Sequence, residues 1–280
     1  MLFVYSGTGM KLKLTIAYFG QRYQGWQAQR PDQPTVQAAV QAAALRVFKE
    51  PLQIVGASRT DSGVHAEGQV AHVVVSRELP PGRVAMALNS RLPTDIEVRR
   101  VEPVGDDFHA RRDARWKWYR YRVHNATARP IADWGRVWHY WRQVDDGRVR
   151  AAADRLVGTH DFAALQSASD QPRLTTVRTI FRLDVMRHYD QLVVDVTGDG
   201  FLYRMVRNIV GLLMEIGRGR REPEWIDELL AGGGDARRTG GTICAPAQGL
   251  TLMQVNYTPH PADVTGTPPA RQDDVTAADP

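Results

Sequence analysis

Asp61 is the residue on which chemistry is most readily built. It stands in the run Gly56-Ala57-Ser58-Arg59-Thr60-Asp61-Ser62-Gly63-Val64-His65-Ala66, directly after a threonine and two positions after an arginine. Glycines permit positive φ and let a backbone approach a ligand closely. A carboxylate on such a turn, with a cation close by, is a charged group held for use; the plainer reading is that its side chain only caps the turn. His65 lies four residues on, a spacing that on a helix would suit a metal, but Gly63 between them argues for a turn. None of the eight histidines forms an H-x3-H pair or an H-E-x-x-H motif. Residues 69–76 read as a valine-rich strand. The turn therefore sits at a strand edge, where scaffolds present working residues.

Two further segments carry unusual residue combinations. In ARWKWYRYRV, residues 114–123, Trp116, Trp118, Arg120 and Arg122 alternate with Lys117, Tyr119, Tyr121 and Val123. Aromatics interleaved with cations suit a base-stacking, phosphate-neutralising surface; an aromatic core strand with flanking surface charge has the same pattern. From 111 to 136 there are eight Arg or Lys against two Asp, which favours a polyanion partner. The second segment, 201–217, reads as an apolar helix ended by glycine. It nevertheless carries Arg204 and Arg207, three apart and so on one face. A buried guanidinium needs a carboxylate or a phosphate.

The elements that position these groups follow from periodicity. Lys11 to Ile16 alternate as a strand with one buried face. Thr35 opens a helix with Val36, Val40, Ala43 and Val47 on one side. Residues 83–90 form a short helix and 96–101 a strand. Residues 115–123 form a strand, 145–157 a helix, 181–196 a hairpin turning at His188-Tyr189-Asp190, and 250–257 a last strand. Gly232-Gly233-Gly234 is a loop without the Lys-Ser/Thr of a phosphate-binding loop. The Asp106-Asp107 and Asp145-Asp146 pairs read as turn or helix-start residues. The fold class is α+β with a mainly antiparallel sheet. The boundaries are a first α+β domain over 1–105, a second over 106–258, and an acidic, Pro-rich disordered tail over 259–280.

Composition narrows the function classes. The chain has 280 residues, 43% of them hydrophobic, and a formal charge of +5. Residues 259–280 hold four Asp against one Arg, so the first 258 residues carry three charges more than the whole. A basic body suits a polyanion. The single Cys244 excludes an internal disulfide and a thiolate metal cage. No apolar run approaches the ~20 residues that span a bilayer, and the first residues lack a signal-peptide layout. These features point to a cytoplasmic protein.

GASRTDSGVHAEGQVAHV, residues 56–73, closely resembles the motif G-R-T-D-x-G-V-H-A-x-G-Q-V of the tRNA pseudouridine synthase A family, with Ala57-Ser58 before the arginine. FLYRMVRNIVG, residues 201–211, resembles a further motif of that family. The 114–123 strand resembles its A-x-x-x-Y-x-Y segment, and Ala245-Pro246-Ala247-Gln248-Gly249-Leu250 its A-P-A-x-G-L segment. With the YFGQRYQGWQAQ run, residues 18–29, the matches span nearly the whole folded chain.

The resemblance implies that Asp61 is the catalytic carboxylate, acting at the sugar as a nucleophile at C1′ or a base at C2′. It implies that Arg207 pairs with Asp61, that Tyr119 stacks on the target base, that Leu250 lines the uracil pocket, and that Tyr121 is structural. Arg59 is the alternative cation for Asp61. Arg204, Lys117, Arg120, Arg111 and Arg112 are expected to contact RNA, and Gly25, Trp26 and Gln27 to face it. The implied reaction is isomerisation of uridines 38, 39 and 40 in the tRNA anticodon stem-loop, with no cofactor and no metal. The implied architecture is two RNA-binding-module-like halves in one continuous sheet, with a central cleft and a homodimer. Two competing readings are a non-catalytic RNA-binding protein and a metal-dependent nuclease built on Asp61 and His65.

Overall fold

The computed structural model describes residues 9–27, 33–77, 79–168, 175–232 and 244–260. The alternating N-terminal segment is β1 (Met10–Tyr18), with Leu12, Leu14 and Ile16 buried and Lys11 and Lys13 on the opposite face. Thr35 caps α1 (Val36–Phe48) by accepting from the Ala38 N–H, satisfying one of the donors a helix start leaves free. There follow β2 (Val55–Gly56), β3 (His65–Val75), α2 (Pro81–Asn89) and β4 (Ile96–Pro103). β1 lies between β3 and β4 and runs antiparallel to both.

The remainder contributes β5 (Trp116–His124), β6 (Trp138–His139), α3 (Asp146–Asp154), β7 (Gly158–Asp161), β8 (Val177–His188), β9 (Gln191–Gly198), α4 (Met205–Gly217), α5 (Trp225–Ala231) and β10 (Leu250–Asn256). Asp145 caps α3 through the Arg148 N–H. The β8–β9 hairpin turns at Tyr189, whose φ is +51°.

All ten strands form one mixed, mainly antiparallel sheet, in the order β4-β1-β3-β10-β5-β9-β8-β7, with β2 on β3 and β6 on β5. The fold is α+β, as the patterning predicts. The chain's two strand sets meet at β10, which is antiparallel to β5 but parallel to β3. Only Thr251↔His65 and Leu252↔Ala66 make the parallel join. Parallel neighbours start at the same edge of a sheet. The turn entering β3 and the turn entering β10 are thereby side by side.

Several boundaries move. The helix predicted over 201–217 begins at Met205, because Arg204 takes a left-handed φ of +58°. Tyr203 and Arg204 are the centre of a turn closed by Met205 N–H on Leu202 O at 3.1 Å. An unbroken apolar run does not mark where its helix starts. The helix predicted to 157 ends at Asp154, and Gly158 opens β7. Gly232 caps α5, while Gly233 and Gly234 lie outside the described residues. The tail boundary also shifts: His260 is buried, stacked on Phe181 and edge-on to Trp116, so the body reaches 260. Residues 261–280 lie outside the described residues.

Candidate active site

Asp61 occupies the turn between β2 and β3. The turn is closed by Val64 N–H on Asp61 O at 3.2 Å, with Gly63 at φ +80°. Its outer wall is the 23–26 segment: the Gly63 N–H and the Ser62 hydroxyl both donate to Tyr23 O at 3.3 Å, and the Trp26 N–H donates to Thr60 O at 3.1 Å. Gly25 has φ +86°, and its Cα lies so close to Thr60 O that a Cβ would overlap it. Here glycine serves both a left-handed backbone and a close approach. The Thr60 hydroxyl bonds to the Tyr18 hydroxyl at 2.8 Å.

Arg207, in the first turn of α4, supplies the counter-charge. Its Nη1 donates to Asp61 Oδ2 at 2.9 Å, with both side chains largely buried at 12% and 16% exposure. Its Nε donates to Ala245 O at 2.7 Å, and its own carbonyl accepts the Ala245 N–H at 3.1 Å. One arginine thus fixes the carboxylate and the turn before β10 together. That turn is further held by Tyr121, fully buried, whose hydroxyl donates to Pro246 O at 2.7 Å. Gly249 packs flat on the Tyr121 ring, where a Cβ could not fit. A side chain at Gly63 would meet Ala247 Cβ, so the two turns face each other closely.

Tyr119 extends from β5 beneath this junction, 7% exposed and edge-on to Phe201 at 5.2 Å. Burial pushes its phenol up to about 12; the neighbouring Ser58 hydroxyl offsets part of this, and the negative charge of Asp61 adds to it. The phenol is therefore protonated at neutral pH. Leu250, 6% exposed, opens β10 opposite Tyr121. Asp61, Arg207, Tyr119 and the Leu250 turn, singled out from separate parts of the chain, come together.

His65 is a brace rather than a ligand. Its Nδ1 accepts the Gly20 N–H at 2.9 Å, which assigns the proton to Nε2. Nε2 lies 3.0 Å from Gly135 O and 3.1 Å from Gln248 O. Burial lowers its pKa first of all, with the Arg136 and Arg122 charges adding to this and the two carbonyls opposing it. Among the described residues no three His, Cys, Asp or Glu side chains group as a metal site.

The basic residues are distributed more widely. Arg59, Arg111, Arg112 and Arg204 are exposed. Arg112 bonds Asp113 and the Asp107 carbonyl, and Arg204 lies over the Tyr203 ring at 4.9 Å. The Lys117 ammonium donates to Ala57 O at 3.4 Å. Arg120 makes a two-pronged pair with Asp195 at 2.8 and 2.7 Å, over Trp118, so its fork is engaged within the sheet. The expectation that Trp26 faces RNA is corrected: its indole is 1% exposed, packed on Gly56 and near Tyr18. A run of Gly, Trp and Gln around a turn does not reveal which side chain points inward. Gln69, the Tyr23 carbonyl and the His65 brace were not singled out as site supports. They lie in the motifs of residues 18–29 and 56–73, but their bonds join residues far apart in sequence, so the motifs do not reveal what each one holds.

A family model described as tRNA pseudouridine synthase matches residues 14–113 and 152–258. The chain is 44% identical over 248 residues to tRNA pseudouridine synthase A of Syntrophotalea carbinolica, covering 89% of this chain and 96% of that protein. It is 42% identical over 250 residues to that of Brevibacillus brevis, covering 88% and 99%. For that of Pseudomonas aeruginosa the identity is 40% over 247 residues, covering 88% and 85%. The extent of these matches, reaching both the Asp61 turn and the α4–β10 segment that closes on it, makes the chain a member of the tRNA pseudouridine synthase family.

Proposed function

We propose that this protein isomerises uridine to pseudouridine at positions 38, 39 and 40 of the tRNA anticodon stem-loop, with Asp61 as its catalytic carboxylate. The observation that carries the reading is the 2.9 Å Asp61–Arg207 pair, set where two turns meet and beside a buried, neutral phenol. The reaction breaks the N1–C1′ bond and forms a C5–C1′ bond on the same ribose; the C5 proton leaves to water and N1 takes up a proton in its place. No electrons are transferred, so no redox cofactor is needed, and the redistribution calls for a carboxylate, a dry pocket and a base turned out of its stack.

Asp61 attacks C1′ or removes the C2′ proton, and either route needs it ionised. Arg207 supplies the counter-charge, its Nη1 donating to Asp61 Oδ2. Tyr119 offers a ring face to the base, and Leu250 an apolar wall. Arg59, Arg204, Arg111, Arg112 and Lys117 neutralise phosphates. Residues 1–105 and 106–258 act as two halves of one cleft, in a cytoplasmic homodimer that shares one tRNA.

The test is tritium release. Purified protein is incubated with tRNA carrying uridine tritiated at C5, with and without chelator. Release to water, unaffected by chelator, is the expected result. Retained tRNA binding without release would identify an RNA-binding protein instead, and loss with chelator a metal-dependent activity.

A further inference from the structure

The ladder between β2 and β3 ends in an unusual way. Val55 pairs with His72 and Gly56 with Ala71, and the Ala57 N–H still reaches Val70 O at 2.7 Å. One residue later the backbones part. Ser58 meets the side chain of Gln69 in place of another strand backbone. Gln69 Nε2 donates to Ser58 O at 2.7 Å, and Gln69 Oε1 accepts the Ser58 N–H at 3.2 Å and the Val70 N–H at 3.2 Å. A carboxamide has the same donor and acceptor pair as a peptide group. It serves here as a detached rung, displaced from β3 by the length of a side chain. Its orientation is fixed, since a flip would set N–H against N–H. Gln69 is fully buried, and its backbone pairs with Ile16 of β1.

We propose that Gln69 is a positioning residue for Asp61: the carboxamide rung holds Ser58 off β3 and so sets the height at which Arg59-Thr60-Asp61 leaves the sheet toward Arg207. This rests on the function proposed above. The rung lies three residues before the carboxylate, and single bonds hold its neighbours. Ala57 O takes Lys117, Thr60 Oγ1 takes Tyr18, and Thr60 O takes the Trp26 N–H. Gln69 grips Ser58 by both its N–H and its C=O.

Gln69→Glu keeps the shape but removes the donor. Ionised, it sets an oxygen against Ser58 O; protonated, it restores one donor and the rung. Burial raises a carboxyl pKa, so the protonated form is reachable in mild acid. The groups facing this position are the Tyr18 hydroxyl from β1, the Lys117 ammonium from β5, and Tyr119 and Asp61 beyond Ser58. Both tyrosines stay neutral across the range, and Lys117 is the one cation among the four.

The experiment measures kcat and KM for tritium release by Gln69→Glu, Gln69→Met and the unaltered protein from about pH 8 to about pH 5.5. Release by the unaltered protein tests the function itself; with that in hand, the variants test the rung alone. At about pH 8, Gln69→Glu is expected to lose roughly tenfold or more in kcat, with KM for tRNA within about threefold. Its kcat relative to the unaltered protein should then climb several-fold as pH falls. Gln69→Met should lose kcat with KM unchanged and show no such recovery. A pH-independent ratio for Gln69→Glu overturns the proposal. So does a Gln69→Met variant with unaltered kcat, or a loss fully accounted for by the unfolded fraction in circular dichroism. If Gln69→Glu does not fold, the kcat and KM of Gln69→Met decide.

Discussion

Arg207 and Asp61 are 146 residues apart in the chain and 2.9 Å apart in space, and the same guanidinium donates to Ala245 O. The pair is therefore a joint between the turn before β3 and the turn before β10 as well as an electrostatic couple. Removing one partner of a buried pair typically costs ~3–5 kcal/mol, because the other charge is left uncompensated. Arg207→Met is expected to melt lower and to be nearly inactive. Arg207→Lys should fall between it and the unaltered protein, since a lysine keeps the charge but cannot reach both Asp61 and Ala245 with a fork. Melting curves and single-turnover rates check both.

Asp61→Asn keeps the shape of the turn and removes the charge. Isomerisation should be abolished, while tRNA affinity stays within about tenfold, because phosphate contacts supply most of it. A filter-binding measurement beside the tritium assay separates the two. Turnover at the unaltered rate would sink the assignment of Asp61.

Gly25→Ala tests the wall of the turn. At φ +86° an alanine is strained by about 1–2 kcal/mol, and its Cβ meets the carbonyl that holds Thr60. We expect a loss of stability above that figure and a fall in kcat exceeding any change in tRNA affinity. A melting temperature and kcat equal to those of the unaltered protein would contradict the close approach.

Two buried histidines predict the acid response. Burial lowers His72 to about 4 and moves His65 in the same direction, from an ordinary 6.5. Ala110 N–H donates to His72 Nδ1, as Gly20 N–H does to His65, so each folded imidazole refuses a proton that the unfolded chain accepts. The contribution of His72 is complete above about pH 6.5 and falls as pH drops toward about 4, by up to ~1.4 kcal/mol per pH unit, and His65 acts in the same direction. Urea titrations across this window should show the slope. His72→Asn, which retains an acceptor near Nδ1 and does not titrate, should make it shallower.

Raising salt from ~50 to ~200 mM should weaken tRNA binding by orders of magnitude if six or more phosphates are neutralised. An affinity that ignores salt would make the exposed arginines incidental.

Local rules recovered much of the scaffold. The alternation of β1, the Thr35 and Asp145 caps and the β8–β9 hairpin each follow from neighbouring residues. The start of α4 did not, because Arg204 breaks the helix by a backbone angle inside a continuous apolar run. Trp26 was misplaced because it packs on Gly56 of β2, thirty residues away. The Asp61–Arg207 pairing came from resemblance to a family. Spacing alone offered a buried guanidinium in search of an anion. Gln69 stands in the family's G-Q-V motif, but its role as a rung was not legible, since an amide bonded to a backbone eleven residues back has no period.

The two-rung parallel join of β3 to β10 also has a meaning in time. A ribosome delivers His65 183 residues before Gln248, an interval of about 10–40 s at 5–20 residues per second. Through it the residues of the carboxylate turn are already made, while the Pro246 turn and the Leu250 wall are still to come. The His65–Ala66 stretch of β3, beyond the rungs that β2 covers, stays without its β10 partner for as long. A growing chain is thus a sheet with a vacant slot, and it becomes a site when its own last strand fills that slot.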